Sequence, residues 1–351
     1  MTQTHHQPHA RTVTGPVPAA DLGLVLPHEH LFNDLSGVLD KPSYPFTGFL
    51  ADQPVSASAA SALRHDPYCC PDNLAAKPMT DVLREIAAFR AVGGGTVVDA
   101  TSSAAIGRAP ERLREASLRS GINVVMGCGA YLEKFEGRRI SAADIEAQAG
   151  AIDDELTHGT PDHHIRPGLI GEIGVSPDFT PAEHLSVRAA ALAQLNHPDV
   201  PLMIHLPGWQ RRAHEVLDIV LDEVGVAPGR VVLAHMDPSS DDTAYQDSIA
   251  ARGAWLEFDM IGMDITFPHE GAAPRAELTA DAVARLASRG HAGQLLLSHD
   301  LFLKQMWTRH GGNGLTFVPT VFAEMLAARG LDHELVAGLT HHNPARMLTG
   351  C

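Results

Sequence analysis

The sequence has few residues that could cross-link the fold through disulfide bonds or anchor it in a membrane. Its 351 residues include four cysteines, and the adjacent pair Cys69 and Cys70 forms neither a disulfide framework nor a CxxC zinc pattern. No apolar run approaches the roughly 20 residues that span a bilayer, and the first residues lack the apolar core of a secretory signal. We therefore expect a cytoplasmic protein that makes no contact with a membrane.

Positive charge is also scarce. Lys and Arg number 26 against 42 Asp and Glu, which gives a formal net charge of −16 at pH 7. A nucleic-acid partner would require a basic face, so we expect no such partner. The content of 44% hydrophobic and 19% charged residues is typical of a soluble globular enzyme. We expect a small-molecule substrate.

What the sequence does contain is a repeated alternation of short apolar runs and helical stretches. The first run is "LGLVLPHEH", and seven more follow, each preceded by residues with helical apolar spacing and often a glycine stop. Apolar runs of this kind are typical of parallel strands buried on both faces. Eight such units predict an α/β fold, a TIM (β/α)8 barrel formed by residues 1–351 as a single domain. A doubly wound sheet with a second small domain is the alternative, but no break in composition supports it.

Two segments fall outside the repeat. Residues 1–10 are predicted to be a disordered tail, and "ARTVTGPVPAADLG" after them to form a short N-terminal hairpin that caps the barrel. Residues 40–79 are rich in Pro, Ser, Ala and Asp, which predicts a long loop insertion after strand one, with one short helix at "SASAASALRH". Loops of this length inside a compact domain often cover a functional site.

Polar side chains interrupt the apolar runs where several strands end, which is where TIM barrels carry their catalytic groups. His28 and His30 point to the same face, because side chains alternate along a strand. An isolated HxH is more often a pair of structural histidines, but here other strand ends supply further candidates. The whole set comprises His28, His30, Glu172, His205, His235 and Asp300. Six ligands exceed what one catalytic zinc uses, so we expect two divalent ions per chain, zinc or else manganese, cobalt or iron.

The ordered set HxH, acidic residue, His, His and Asp resembles that of the amidohydrolase superfamily, and more narrowly the phosphotriesterase family. The blocks "RTVTGPVPAADLGLVLPHEHLF", "GCGAYLEKF", "GEIGVS", "HDLFLKQMWTRHGGNG" and "NPARML" carry the resemblance nearly end to end. The namesake enzymes bridge their metals with a carbamylated lysine on strand four. Here "PGLIGEIGVSPD" has no lysine, and Glu172 stands at that place, as in the phosphotriesterase-related branch.

The resemblance implies a role for each ligand. His28, His30 and Asp300 would bind a buried metal, and His205 and His235 a more exposed one. Glu172 would bridge the two. A hydroxide between the metals would attack a carbonyl or phosphoryl centre, and Asp300 would accept its proton. The resemblance also implies a homodimer.

Four further residues are candidates for accessory roles. Tyr131 follows strand three and could place a phenol near the more exposed metal, or could be a packing aromatic. Arg211 and Arg212 begin the helix after strand five and could contact an anionic group of the substrate, or be surface charge. Asp259 follows strand seven and could orient a ligand histidine, or cap the next loop.

The ligands do not specify which bond is cut. A lactone, a carboxyl ester or an N-acyl amide is the expected substrate, with phosphotriesterase activity weak. A true phosphotriesterase, a mononuclear deaminase-like amidohydrolase and a non-catalytic metal-binding barrel remain as alternatives.

Overall fold

The structure is a computed structural model that describes residues 8–350. Its strands, numbered in chain order, are β1 (His9–Thr12), β2 (Gly15–Pro18), β3 (Leu24–Glu29), β4 (Gly94–Asp99), β5 (Asn123–Cys128), β6 (Leu169–Gly174), β7 (Leu202–His205), β8 (Val231–Leu233), β9 (Trp255–Phe258), β10 (Thr266–Phe267), β11 (Gly271–Ala272) and β12 (Leu295–Leu297).

Eight of these strands form one parallel sheet that curls into a nearly closed barrel. Its order is β12-β9-β8-β7-β6-β5-β4-β3, so that neighbours in the sheet are also neighbours in sequence among these eight. Every ladder in it is parallel. These strands contain the eight apolar runs of the sequence, and the predicted single-domain TIM barrel is confirmed.

The helices lie between the strands, as the alternation predicts. They are α1 (Ala60–His65), α2 (Pro71–Leu74), α3 (Met79–Ala91), α4 (Pro110–Ser120), α5 (Glu133–Glu136), α6 (Arg138–Ser141), α7 (Ile145–His158), α8 (Pro181–Asn196), α9 (Ala213–Leu217), α10 (Thr243–Ala250), α11 (Ala276–Leu286), α12 (Ala323–Ala327), α13 (His333–Ala337) and α14 (Asn343–Thr349). Helix α8 shows why the local sequence starts a helix: the Thr180 hydroxyl and the Glu183 carboxylate cap each other's backbone N–H groups. Within residues 8–350, no helix combines the length and the apolar character that a membrane crossing requires.

The predicted N-terminal hairpin is present as the antiparallel pair β1 and β2. The backbone N–H of Val13 donates to the carbonyl of Val124 at 2.9 Å, which fixes the hairpin at the N-terminal end of β5. Because β1 begins at His9, residues 9 and 10 belong to a strand, which corrects the predicted disordered tail there. The rest of that prediction, over residues 1–7, lies outside the described residues.

The insertion over residues 40–79 is more helical than predicted. Besides α1 and α2 it contains 3-10 turns at Pro45–Asp52, Ala57–Ala59 and Pro67–Cys69. Cys69 and Cys70 are buried free thiols in a small apolar cluster of this segment. The insertion reaches the mouth of the barrel, where its residues Asp40 and Tyr68 line a cavity of about 530 Å³.

Between β12 and β3 the barrel is closed without a strand ladder, as far as the described residues go. The backbone N–H of Asp300 donates to the carbonyl of His28 at 3.2 Å, and the hydroxyl of Ser298 donates to the same carbonyl at 2.8 Å. We call this junction the seam. It lies beside two of the predicted metal ligands.

Candidate metal centre

The six predicted ligands converge at the C-terminal mouth of the barrel. Three groups of three side chains among the described residues have ligand atoms within 4.8 Å of one another, and one of them is His28, His235 and Asp259. The other two consist of predicted ligands alone: a first group of His28, His30 and Glu172, and a second group of Glu172, His205 and His235. Glu172 belongs to both groups, which is the arrangement that a bridging carboxylate requires. Asp300 joins the first group, with its Oδ1 3.1 Å from Nε2 of His30 and 3.9 Å from Nε2 of His28.

Hydrogen bonds to the Nδ1 atoms, on the side away from the centre, fix the rings of the HxH pair. Nδ1 of His28 lies 3.0 Å from a carboxylate oxygen of Glu257 and 3.3 Å from one of Asp259. Nδ1 of His30 lies 2.8 Å from the hydroxyl of Thr101. A ring nitrogen that donates to an outer acceptor leaves the other nitrogen free to bind a metal. Both Nε2 atoms therefore present a lone pair to the centre.

The second group is oriented in the same way. Nδ1 of His235 lies 2.8 Å from Asp259, which directs Nε2 of His235 to the centre. His205 instead turns its Nδ1 inward, 2.9 Å from Glu172 and 2.7 Å from Nε2 of His235. The hydroxyl of Tyr131 lies 3.4 Å from Nδ1 of His205. Asp259 thus contacts the ring nitrogen of His235 that faces away from the centre. Tyr131 lies beside His205 and lines the cavity. Both positions agree with what the sequence suggested.

One buried atom tests whether the site fits a cation. Nε2 of His28 has no hydrogen-bond partner within residues 8–350, although it faces Glu172 at 3.6 Å and Asp300 at 3.9 Å. Buried polar atoms are nearly always paired, so such an atom calls for an explanation. A ring nitrogen that faces two carboxylates without bonding to them has the position of a metal ligand. Imidazole and carboxylate groups suit zinc and its neighbours, and the residues of the site fit such a cation.

The charges of the site reinforce this fit. Burial lowers the pKa of His30, but the carboxylates of Asp300 and Glu172 outweigh it and raise that pKa to about 9. Burial would raise the pKa of Glu172, yet His205 and His28 hold it well below its usual range. The carboxylates therefore attract positive charge strongly, and a metal ion would compete with protons for the same imidazoles.

Glu29, the middle residue of the HxH motif, positions Asp300 across the seam. It points away from the two histidines, as strand alternation predicts. Its carboxylate accepts the backbone N–H groups of His299 and Leu301, both at 3.0 Å, on either side of Asp300. Asp300 itself has a φ of 54°, a left-handed conformation that most residues avoid and that Asp and Asn adopt more readily than other non-glycine residues. The bonds to Glu29 help to hold it there.

Changing Glu29 to glutamine is expected to lower the free energy of unfolding by about 2–4 kcal/mol, because a buried charged acceptor of several hydrogen bonds is lost. Urea denaturation measures the change. Glu334→Gln on the surface of α13 is the matched control, and we expect it to stay within about 0.5 kcal/mol of the wild type. Equal midpoints for the two variants would show that Glu29 does not hold the seam.

One carboxylate, Glu257, and one lysine, Lys77, near the centre were not found from the sequence. Glu257 lies two residues before Asp259 on the same strand, so the alternation that pairs His28 with His30 could have found it. Lys77 is 2% exposed, and its ammonium donates to the carbonyl of Phe302 at 2.7 Å. Burial lowers the pKa of Lys77 to about 7. No spacing signal pointed to Lys77, because it ends an irregular segment.

The two predicted substrate-binding arginines do not reach the site. Arg211 donates to the carbonyl of Gly208 at 3.4 Å and lies over the ring of Tyr245. Arg212 pairs with Glu215 at 2.7 Å. Neither is among the described residues that line the cavity. This corrects the expectation that they contact the substrate: nearer carboxylates and carbonyls on the outer side of the barrel take up both guanidinium groups.

A cavity of about 530 Å³ opens above the centre. Its floor is formed by His30, Glu172, His205, His235 and Asp300. An aromatic wall stands above the floor and comprises Tyr68, Trp209, Phe267 and Phe302. Three charged side chains form the rim, namely Asp40, Lys134 and Glu270. The wall and the rim come largely from the insertion and from the hairpin β10–β11, which the strand count did not reveal.

Comparison with known proteins gives one consistent result. The profile of the phosphotriesterase family matches residues 8–348. A phosphotriesterase-related protein of Nematostella vectensis is 30% identical, with 97% of this chain and 98% of that protein covered. An N-acetyltaurine hydrolase of Tetraodon nigroviridis is 29% identical, with 97% of each covered. The crystal structure of a resiniferatoxin-binding protein from Rhodobacter sphaeroides superposes with a TM-score of 0.94 at 42% identity, over 97% of this chain and 95% of that one.

Proposed function

The chain belongs to the phosphotriesterase family and is a hydrolase, and from that premise we propose that it cleaves a carbonyl substrate with the help of two divalent metal ions. The substrate class is a lactone, a carboxyl ester or an N-acyl amide. The ions, zinc or else manganese, cobalt or iron, are held by His28, His30, Glu172, His205, His235 and Asp300.

The position of the Glu172 carboxylate carries this proposal. Its Oε1 lies 3.4 Å from Nε2 of His30, and its Oε2 lies 2.9 Å from Nδ1 of His205. Its Oε2 also lies 3.5 Å from Nε2 of His235 and 3.6 Å from Nε2 of His28, so this one carboxylate contacts histidines of both ligand groups, as a bridging carboxylate must. A mononuclear site would give Glu172 no reason to contact both groups, so this geometry favours two ions over one.

The side chains around the floor supply the remaining chemistry. Divalent ions held by these ligands would supply Lewis-acid chemistry, which favours deprotonation of a water and polarises a carbonyl. Asp300 lines the cavity and is placed to take up the proton that the attacking water loses. The phenol of Tyr131, beside His205, can donate a hydrogen bond to the substrate oxygen. The aromatic wall limits the access of bulk water to the reacting atoms.

Two considerations favour a carbonyl over a phosphoryl substrate. One similar protein is an N-acetyltaurine hydrolase, and N-acetyltaurine is an N-acyl amide. Moreover, "PGLIGEIGVSPD" lacks the lysine that bridges the metals in the namesake phosphotriesterases. A complete ligand set together with Asp300 also argues against a barrel that only binds.

We expect close to two divalent ions per chain after reconstitution and dialysis, measured by plasma mass spectrometry, together with hydrolysis of carbonyl substrates. The panel comprises lactones, aryl esters, N-acyl amines and a neutral phosphotriester. With 21 histidines in the chain, surface binding needs a control: His158→Ala, at an exposed position, should keep both ions. A stoichiometry that stays at one or below would exclude the binuclear centre, and turnover of the triester alone would exclude a carbonyl substrate.

A further inference from the structure

The side chains that a substrate meets first carry more negative than positive charge. The rim has two carboxylates, Asp40 and Glu270, and one ammonium, Lys134, and all three are exposed. The arginines that could have received an anion, Arg211 and Arg212, are engaged elsewhere. An anionic substrate would therefore find at the rim one ammonium against two carboxylates, before it reaches the ions proposed for the floor.

The three rim groups act on one another. Although Glu270 as a whole is exposed, partial desolvation of its carboxylate raises its pKa; the charge of Lys134 lowers this pKa, and that of Asp40 raises it. The ammonium of Lys134 also lies 5.1 Å from the ring centroid of Phe135, so it is drawn toward an aromatic face as well. Lys134 is thus drawn both toward the carboxylate of Glu270 and toward the ring of Phe135. The rim as a whole presents net negative charge to an approaching molecule.

Below the rim, the aromatic wall is built around Phe267. The ring of Phe267 lies 5.6 Å from that of Tyr68, 5.9 Å from that of Trp209 and 6.3 Å from that of Phe302, centroid to centroid. Gly271, on the partner strand of the hairpin, lets Trp209 approach closely, because a Cβ there would lie 2.3 Å from the indole nitrogen. The hairpin β10–β11 therefore supplies both an apolar surface and, in its turn, Glu270.

We propose that the substrate is an uncharged or cationic carbonyl compound with an apolar group of aromatic size, and that Glu270 and Asp40 select against anions. The carbonyl in this statement rests on the proposed function; the selection by charge and bulk rests on the wall and the rim alone. The proposal separates this chain from the N-acetyltaurine hydrolases that it resembles, because N-acetyltaurine carries a sulfonate.

A matched pair of esters tests the selection. The pair is 2-naphthyl acetate and 6-acetoxynaphthalene-2-sulfonate, which share a ring system and a scissile bond and differ by one charge. With metal-loaded protein at low ionic strength, we expect kcat/KM to favour the neutral ester by about tenfold or more, and the ratio to shrink as salt screens the rim. Equal values at low salt, or a preference for the sulfonate, would overturn the proposal.

Variants assign the effect to the rim and the wall. Glu270→Gln should raise kcat/KM for the sulfonate about two- to fivefold relative to the neutral ester, whereas Glu277→Gln, on the exposed face of α11, should leave the ratio unchanged. Phe267→Ala should raise KM for 2-naphthyl acetate by about tenfold and change KM for vinyl acetate little. If Glu270→Gln and Glu277→Gln behave alike, the rim does not select.

Binding of unreactive ethers separates a failure of this proposal from a failure of the proposed function. Calorimetry with 2-methoxynaphthalene and 6-methoxynaphthalene-2-sulfonate needs no hydrolysis. Tighter binding of the neutral ether, with neither ester cleaved, would remove the proposed reaction and leave the selection standing. Cleavage of both esters without any difference in the binding of the ethers would support the proposed reaction and overturn the proposed selection by charge.

Discussion

Glu172→Gln is expected to lose metal and activity together. The variant keeps the shape of the side chain, but one amide oxygen replaces two equivalent carboxylate oxygens, and the negative charge between His205 and His28 disappears. Leaving buried charges without their partner costs about 3–5 kcal/mol. Where that cost falls on ion binding, the affinity drops by about 10² to 10³ or more, and turnover should fall with the occupancy of the site. We expect the metal content to drop to one ion or fewer per chain. Metal analysis and turnover on one preparation measure both effects.

The chemistry of the bridge supplies a second measurement. A carbamylated lysine needs CO₂ for its assembly, whereas a glutamate does not. Added bicarbonate should therefore leave the metal loading and the turnover of the wild type unchanged. Activation by bicarbonate would show that a lysine takes part in the bridge. Glu277→Gln, which lies outside the cavity, serves as the control for the loss of one carboxylate and should retain full metal content.

Asp300→Asn should separate metal binding from proton transfer. The amide keeps an oxygen donor but cannot accept a proton at neutral pH, and loss of a general base costs about 10²–10⁴ in rate. Asparagine also tolerates the left-handed backbone that Asp300 adopts. We therefore expect a folded variant that retains most of its metal at saturating concentrations and turns over at least about a hundredfold more slowly.

The control for Asp300→Asn is Asp264→Asn. Asp264 also has a positive φ, of 50°, and its side chain is 67% exposed. The same chemical change at the same kind of backbone position should leave turnover unaffected there. If Asp300→Asn protein with its full metal content keeps a near wild-type rate, Asp300 is only a ligand and another group takes the proton.

The fold and the convergence of the candidate ligands at one end of the barrel were predictable because both leave periodic signals. Buried parallel strands must be apolar on both faces, so a polar residue at a strand end, such as Glu172 or His235, stands out against its neighbours. The barrel topology then brings together strand ends that lie far apart in sequence. Alternation of side chains also gave the direction of Glu29, although not the backbone groups that it would meet.

Residues on irregular segments could not be placed in this way. The aromatic wall depends on how the insertion and the hairpin β10–β11 fold over the mouth, and no period fixes that. Arg211 lies close in sequence to a ligand, yet its side chain turns outward to Gly208 and Tyr245. Proximity along the chain predicts nearness of backbone but not the direction of a long side chain, whose choice depends on nearby carbonyls and carboxylates.

The seam gives the proposed metal centre a second consequence. The strand ends on its two sides carry His28 and His30 on one edge and Asp300 on the other, and between these edges the described backbone has no ladder. An ion bound by all three would link the first strand of the barrel to the last. Chelation should then lower the free energy of unfolding as well as stop turnover, because the same side chains would hold the ion and join the two edges of the seam.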